Sequence, residues 1–344
     1  MDNSLADLLE TDSMPVPEQI LYLNEAEVQQ TLTVAEAVDL AEKGIKADAV
    51  GKVSGSKFYM DVDQNGFIKP FSGYISGEQY AYVKTFSYFP ANAEKYNRPT
   101  TSSMVLLFDA ETGLPVCVME ASWVTGLKTA ASTAVTTAYL ARPESKVVTI
   151  FGAGTLGRLH LMALAKRFNL KQAYFVDILP EVADICAKEL EPVLGFPVQA
   201  VPLEDRRSVV SLADIIFTVT TGNQALFEHA WLSPGVFIAR LGSYQEISLD
   251  VITKADKLIV DSWHYVSPRI PEIVKLVNDG QLTSKDIHAE WPRIVAGDAS
   301  GRLSQHEIIV FIALGIWGEY AAILPEVYRR AKAMDLGQNL VISN

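Results

Sequence analysis

The residues whose types and spacing can do chemistry are a glycine loop, Gly152-Ala153-Gly154-Thr155-Leu156-Gly157, and an aspartate at 177. The loop follows an apolar, β-branched run, Val147-Val148-Thr149-Ile150-Phe151, and leads into a helical pattern. In that context Gly152 allows a tight turn, Gly154 lets backbone approach a pyrophosphate, and Gly157 lets helix and strand pack closely. The phosphates then rest on the helix N-terminus at Thr155 and Leu156. Asp177 falls twenty residues after Gly157, at the tip of the next strand, where a carboxylate can bind both ribose hydroxyls. A carboxylate there repels a 2′-phosphate, so NAD is expected rather than NADP.

These residues need a parallel sheet to position them. After 147–151 the chain continues with a helical pattern from Leu159 to Phe168 and a strand, Ala173 to Val176. Further apolar strands are expected at Val198–Val201, Ile215–Thr220, Val236–Leu241 and Lys257–Val260. Ligands of such sheets lie beyond the carboxyl ends of the strands, which places Thr220, Thr221, Gly242, Ser243 and Asp261 on the binding edge. Ser243, Tyr244, Asp261 and His264 are the candidates for proton transfer.

Ahead of this half, Val124–Leu140 reads as a helix carrying Lys128. The preceding residues read as a short strand (Ile20–Leu23), a helix capped by Asn24, and a helix from Val34 to Ala49 with a Thr33/Glu36 capping box. A strand-rich stretch follows from Lys57 to Glu120, with a hairpin turn at Asp109–Gly113. Gln305–Ala333 reads as one long helix, apolar nearly all round through Ile308–Trp317, returning to the first domain and contributing to a dimer interface. The expected fold is therefore α/β, a Rossmann-type doubly wound NAD domain plus an α+β sheet domain for substrate binding and dimerisation. The expected boundaries are 1–125 with 305–344 for the sheet domain and 126–304 for the Rossmann domain.

Composition narrows the partners. The chain has 344 residues, 49% hydrophobic and 20% charged, with a formal net charge of −12, which argues against nucleic acid or an anionic membrane surface. The first 18 residues read as a polar, acidic leader without the basic-then-apolar order of a signal peptide. The longest apolar run, 308–318, is too short to span a bilayer. Cys117 and Cys186 both fall in apolar patterns, as expected of small buried hydrophobes in a reducing cytoplasm. Five scattered histidines offer no metal-ligand spacing, so no metal is expected.

The segment Trp123-Val-Thr-Gly-Leu-Lys-Thr-Ala-Ala-Ser-Thr-Ala resembles the segment before the dinucleotide site in the ornithine cyclodeaminase/mu-crystallin family. Similar in the same way are Asp109-x-x-Thr112-Gly113-x-Pro115, Gly242-Ser243, Val260-Asp261 and Gly297-x-x-x-Gly301-Arg302-x-Ser304. The resemblance spans nearly the whole chain in order. It implies a two-domain NAD(P) protein, commonly dimeric, whose members include ornithine cyclodeaminase, archaeal-type alanine dehydrogenase, cyclic-imine reductases and a lens crystallin.

In that family, cationic side chains hold the substrate α-carboxylate, and the matching positions are Lys57, Lys84 and Lys128. Lys57 and Lys128 stand where the family usually has Arg, so the bidentate fork is lost. Two acids of the cyclodeaminases have no counterpart: Ser243 takes the place of an Asp, and Lys69 stands close to the place of a Glu. The resemblance thus implies an NAD-dependent amino-acid dehydrogenase or imine reductase acting on a small carboxylate-bearing amino or imino acid. A cyclodeaminase and a nucleotide-dependent binding protein are the alternatives. Expected catalytic residues are Lys84, Lys128 and Ser243. Expected cofactor contacts are Thr100, Gly152, Gly154, Thr155, Leu156, Gly157, Asp177, Thr220, Thr221, Gly242 and Ser243.

Overall fold

In the computed structural model, which describes residues 19–63 and 65–341, two eight-stranded sheets organise the chain. The leader read from residues 1–18 lies outside the described residues. The strands are β1 (Gln19–Leu23), β2 (Val53–Lys57), β3 (Met60–Val62), β4 (Gly66–Ile75), β5 (Tyr80–Tyr88), β6 (Thr101–Asp109), β7 (Pro115–Glu120), β8 (Val147–Phe151), β9 (Gln172–Val176), β10 (Val198–Val201), β11 (Ile215–Thr218), β12 (Phe237–Arg240), β13 (Lys257–Val260), β14 (Ala289–Glu290), β15 (Ile309–Ile312) and β16 (Gln338–Val341).

Contacts divide the chain into two compact units. One holds the described residues up to Thr31, Ser54–Trp123 and those from Leu324 on; the other holds Leu32–Val53 and Val124–Ile323. The first unit carries the sheet β16-β1-β7-β6-β5-β4-β2, with β3 beside β4. Strands β4 to β7 are antiparallel neighbours, and their side chains alternate between a buried and a more open face. Lys84, Val105 and Tyr82 fall on the buried face, Val83, Met104 and Leu106 on the other. The turn between β6 and β7 is fixed by Asp109, whose Oδ1 accepts from Thr112 N at 2.9 Å and Thr112 Oγ1 at 3.0 Å. Tyr328, on the last helix (Gly318–Ala333), packs edge-on against Tyr80.

The second unit is doubly wound. Its sheet runs β10-β9-β8-β11-β12-β15-β13-β14, and each recorded pairing is parallel. Chain order reverses between β8 and β11, the position at which such sheets bind dinucleotides. The core interleaves Ile216, Ile238, Val260, Val310 and Ile312 with helix side chains such as Val251, Ile273 and Leu276.

Two expectations change here. The stretch 305–333 is not one helix: Ile309–Ile312 is strand β15, central in the nucleotide sheet, and the helix begins only at Gly318. A fully buried parallel strand is apolar on both faces, so it shows the same all-round hydrophobicity as a buried helix. The return to the first unit accordingly comes at 324 rather than 305. The helix Val34–Ala49 has the expected Thr33/Glu36 capping box but belongs to the second unit, where Gly44 lies backbone to backbone against Gly318.

Candidate functional site

The glycine loop connects β8 to the helix Thr155–Leu164. Gly152 has φ 101°, and a Cβ there would meet Val219 O at 2.8 Å. A side chain on Gly157 would collide with the Gly152 carbonyl oxygen, so helix and turn touch through backbone. Gly154, the N-cap, is different: a Cβ there meets nothing within 4 Å. No side chain caps this helix, so its first N–H groups face open space beside Gly154 and Thr155, both exposed. A positive helix end with room before it is suited to a pyrophosphate.

Asp177 follows β9 directly. Its Oδ2 accepts from Ala153 N at 2.7 Å and its Oδ1 from Leu179 N at 3.0 Å. Each oxygen retains lone-pair capacity for a ribose hydroxyl. Ile178 beside it is 79% exposed, an apolar surface fit for a flat base that sequence reasoning missed. The expected ribose contact and the glycine turn are thus one hydrogen-bonded piece.

Across the switch point the loops after β11 and β12 are fastened by Glu246, fully buried and also missed from the sequence. Its Oε1 accepts from Thr220 N (2.7 Å) and Thr220 Oγ1 (2.8 Å); its Oε2 accepts from Thr218 Oγ1 (2.7 Å) and Gly242 N (2.8 Å). Glu246 N in turn donates to Glu272 Oε1 at 2.8 Å, and Glu272 pairs with Arg240 at 3.0 Å, both side chains fully buried. Arg240 also donates to the carbonyls of Gly242 and Tyr244. A buried ion pair survives only when its remaining donors and acceptors are satisfied, as they are here. Thr220 is therefore occupied in holding its own loop, while Thr221 and Ser243 remain exposed on the edge. The only signal in the sequence was an arginine ending an otherwise apolar strand.

In the first unit, Lys57, Lys69 and Lys84 are 4%, 9% and 0% exposed. Lys69 and Phe71 lie opposite Phe86 and Lys84 in the β4–β5 register, so all four share the buried face. Lys84 Nζ donates to Ser103 Oγ at 3.2 Å. The Phe71 ring centroid is 4.8 Å from Lys69 Nζ, 5.5 Å from Lys84 Nζ and 5.7 Å from Lys57 Nζ. Cation–π contact of this kind offsets part of the cost of desolvating an ammonium.

Lys128 belongs to the second unit, on the helix Ser122–Leu140. It is 3% exposed and sits 3.8 Å from Glu319 Oε1 and 4.8 Å from the Tyr320 ring centroid. Burial raises the Glu319 carboxyl above its ordinary range, and the Lys128 charge draws it back down. Asp48 is raised to about 6 by burial and then by Glu319. Neither acid was singled out in the sequence.

Asp261, a proton-transfer candidate, is instead structural: its oxygens accept from Ser262 N and Leu314 N, both at 2.7 Å, tying the ends of β13 and β15. His264 is exposed and stacks edge-on with Tyr265. Thr100 lies in the first unit just before β6, its carbonyl accepting from Phe89 N at 2.8 Å. Among the described residues no group of three His, Cys, Asp or Glu side chains is placed to hold a metal ion, and no helix is long and apolar enough to cross a membrane.

Comparison with known proteins shows the family and the fold. The Ornithine cyclodeaminase/mu-crystallin family matches residues 18–335. N-((2S)-2-amino-2-carboxyethyl)-L-glutamate dehydrogenase of Staphylococcus aureus is 28% identical over 337 residues, 94% of this chain and 98% of the relative. The structure of Thermococcus litoralis Delta(1)-pyrroline-2-carboxylate reductase in complex with NADH and L-proline is similar with a TM-score of 0.88 and 29% identity, covering 93% of this chain and all of the other. An archaeal alanine dehydrogenase dimer with bound NAD gives a TM-score of 0.87 at 26% identity over 94% of this chain and all of the other.

Proposed function

From the premise that this chain belongs to the ornithine cyclodeaminase/mu-crystallin family, we propose that it is an NAD(H)-dependent oxidoreductase acting on the C–N bond of a small amino or imino acid. The observation that carries the reading is the glycine loop: open space at Gly154, an uncapped helix end and Asp177 bonded to the turn fit a dinucleotide. Relatives named for reduction or dehydrogenation of amino and imino acids support the chemistry.

When bound, NAD(H) supplies or takes up the hydride at the substrate Cα. The roles assigned to the chain's residues are to bind and orient. Asp177 holds the ribose, and the first-turn N–H groups from Thr155 on hold the pyrophosphate. Thr100, Thr221 and Ser243 are assigned to the rest of the cofactor, and Thr220 and Gly242, held by Glu246, to shaping the loops that border it. Lys57, Lys84 and Lys128 neutralise the substrate carboxylate, with Glu319 holding Lys128 in place. Ser243 supplies a hydrogen bond near the reacting nitrogen. Ser243 and Lys69 in place of acids disfavour cyclodeamination, which needs negative charge at both amines of a diamine.

We also assign a homodimer. The expected reason, an apolar 308–317 helix, is gone because that segment is β15. The open face of the first sheet replaces it: Val83 and Leu106 lie opposite each other, each 39% exposed, with Met104 37% exposed in the next pair along. Cys117 and Cys186 are free, and burial raises their thiols to about 12 and about 11, which suits the reducing cytoplasm assigned here.

The test is a screen of amino acids, cyclic imines and keto acids with amines, following the absorbance of reduced nicotinamide. Net NADH change with one of them supports the reading. Proline formed from ornithine with catalytic NAD and no net NADH would overturn it.

A further inference from the structure

Lys128 Nζ stands 3.8 Å from Glu319 Oε1, and both side chains are buried. We propose that a substrate carboxylate takes Lys128 over from Glu319, and that Glu319 gains a proton from solvent as it loses its counter-ion. The inference rests on the assignment of Lys128 to the substrate carboxylate and adds the regulation of that contact, a coupling of binding to the uptake of one proton.

The ammonium ends at the ligand edge of its unit. A Cβ on Gly315 would lie 2.9 Å from Lys128 Nζ, and Gly315 has φ 83°. Gly315 follows the end of β15 by three residues, so Lys128 reaches the carboxyl ends of the parallel strands, where such sheets bind ligands.

Glu319 is poorly provided for as an anion. Its Oε2 makes no hydrogen bond of ordinary geometry among the described residues. Burial raises its carboxyl, and the Lys128 charge is the largest influence drawing it back, ahead of its own backbone N–H and the Ser132 hydroxyl. The remaining groups around it do not help. Asp261, after β13, raises it further, while its own oxygens are taken up by Ser262 N and Leu314 N. Asp48, on the helix Val34–Ala49, is itself raised by Glu319. Its Cβ lies 3.3 Å from the place of a Cβ on Gly318, the residue before Glu319. The Tyr320 phenol is pushed up by burial and stays neutral.

Two carboxylates that share one ammonium in a desolvated place cannot both stay charged. The substrate carboxylate keeps the other lysines assigned to it, so Glu319 is the one that takes the proton. An O–H bond forms on Glu319 at the expense of water or buffer. One carboxylate charge enters as another is lost, and the buried charge is unchanged.

The full-length protein with NADH is titrated calorimetrically with propionate and cyclopentanecarboxylate at pH 7 and 8. Buffers of different ionisation enthalpy count the protons exchanged. Asp48, at about 6, is ionised over most of this range, so the count reads Glu319. The wild type should take up about one proton, and its Kd should rise about tenfold from pH 7 to 8. Glu319→Gln, the neutral isostere of the protonated acid, should take up none, show a Kd independent of pH, and bind at pH 8 at least as tightly as the wild type. Asp48→Asn should keep the uptake. A Glu319 that only holds Lys128 in place gives the reverse: weaker binding in Glu319→Gln at both pH values and no proton count in the wild type. No uptake by the wild type overturns the proposal, as does uptake that survives Glu319→Gln, or a wild type that binds neither probe. Circular dichroism and NAD affinity report the fold of each variant, and the wild-type count needs no variant. Lys128→Met separates the two failures. Unchanged carboxylate affinity in that variant removes the assignment of Lys128, whereas weakened affinity without proton uptake in the wild type removes the inference alone.

Discussion

The Asp177 carboxylate accepts a hydrogen bond from the backbone N–H of Ala153, 24 residues earlier in the chain, at 2.7 Å. The glycine turn and the tip of β9 are therefore tied to each other by the chain's own hydrogen bond. Replacing Asp177 with Ser removes both the charge that repels a 2′-phosphate and this tie. NAD affinity should fall and the preference for NAD over NADP should narrow, read as the ratio of the two dissociation constants. An unchanged ratio would show that another group discriminates.

Gly154→Val should abolish NAD binding while the chain stays folded. Among the described residues nothing lies within 4 Å of a Cβ at this position, so the fold tolerates the change, but a valine there displaces the pyrophosphate. Gly157→Val should instead unfold or aggregate the protein, because its side chain meets the Gly152 carbonyl. Calorimetry with NAD and circular dichroism separate the two outcomes.

Glu246→Gln should weaken NAD binding by about tenfold or more, through two loops at once. Glu246 accepts four hydrogen bonds from Thr218, Thr220 and Gly242, and an amide N–H₂ cannot accept two of them. If NAD affinity is retained, the loops after β11 and β12 hold their shape without this carboxylate.

Acid should destabilise the protein through His160. Burial lowers its imidazole from 6.5 to about 4, with Leu156 O partly opposing. Above pH 6.5 neither state is charged. As pH falls, the unfolded chain takes a proton that the folded chain refuses, so stability is lost from 6.5 down to about 4, by about 2 kcal/mol between pH 7 and 5. Asp48, raised to about 6, works in the opposite sense: its contribution is present below 3.8 and is lost as pH rises through 6. Being only partly buried, it should be the smaller effect. Urea midpoints at pH 7 and 5 for wild type and His160→Gln should show the drop shrinking in the variant.

If the chain forms the homodimer proposed above, Leu106→Lys should convert it to monomer, seen as a halved mass in light scattering. It places a charge beside Val83 on the open apolar face. Helix 308–317 would have been the target had the sequence reading stood.

What was legible in the sequence was local. The turn Gly152–Gly157, the Thr33/Glu36 box and the Asp109 hairpin each declare themselves within a few residues, and the structure contains all three. β15 was misread because Ile308–Trp317 lacks any period that separates a strand apolar on both faces from a buried helix. The buried hub of Arg240, Glu246 and Glu272 was invisible for another reason: Glu246 and Arg240 meet Glu272 from 26 and 32 residues away. Lys128 was found by resemblance, but its neighbour Glu319 lies at the far end of the same unit's sequence.

The place of β15 also governs how the newborn polypeptide can fold. β12 and β13 leave the ribosome before β15, yet both pair with it and not with each other. Until residues 309–312 emerge, two apolar edges of the nucleotide sheet stand open, the condition in which nascent chains stick to one another. The first sheet waits longer still, since β1, its earliest strand, is closed on one side by β16, its last. Neither sheet is complete until β15 and β16 have emerged, so a product terminated before them carries unsealed edges, and the burden of shielding it falls on chaperones.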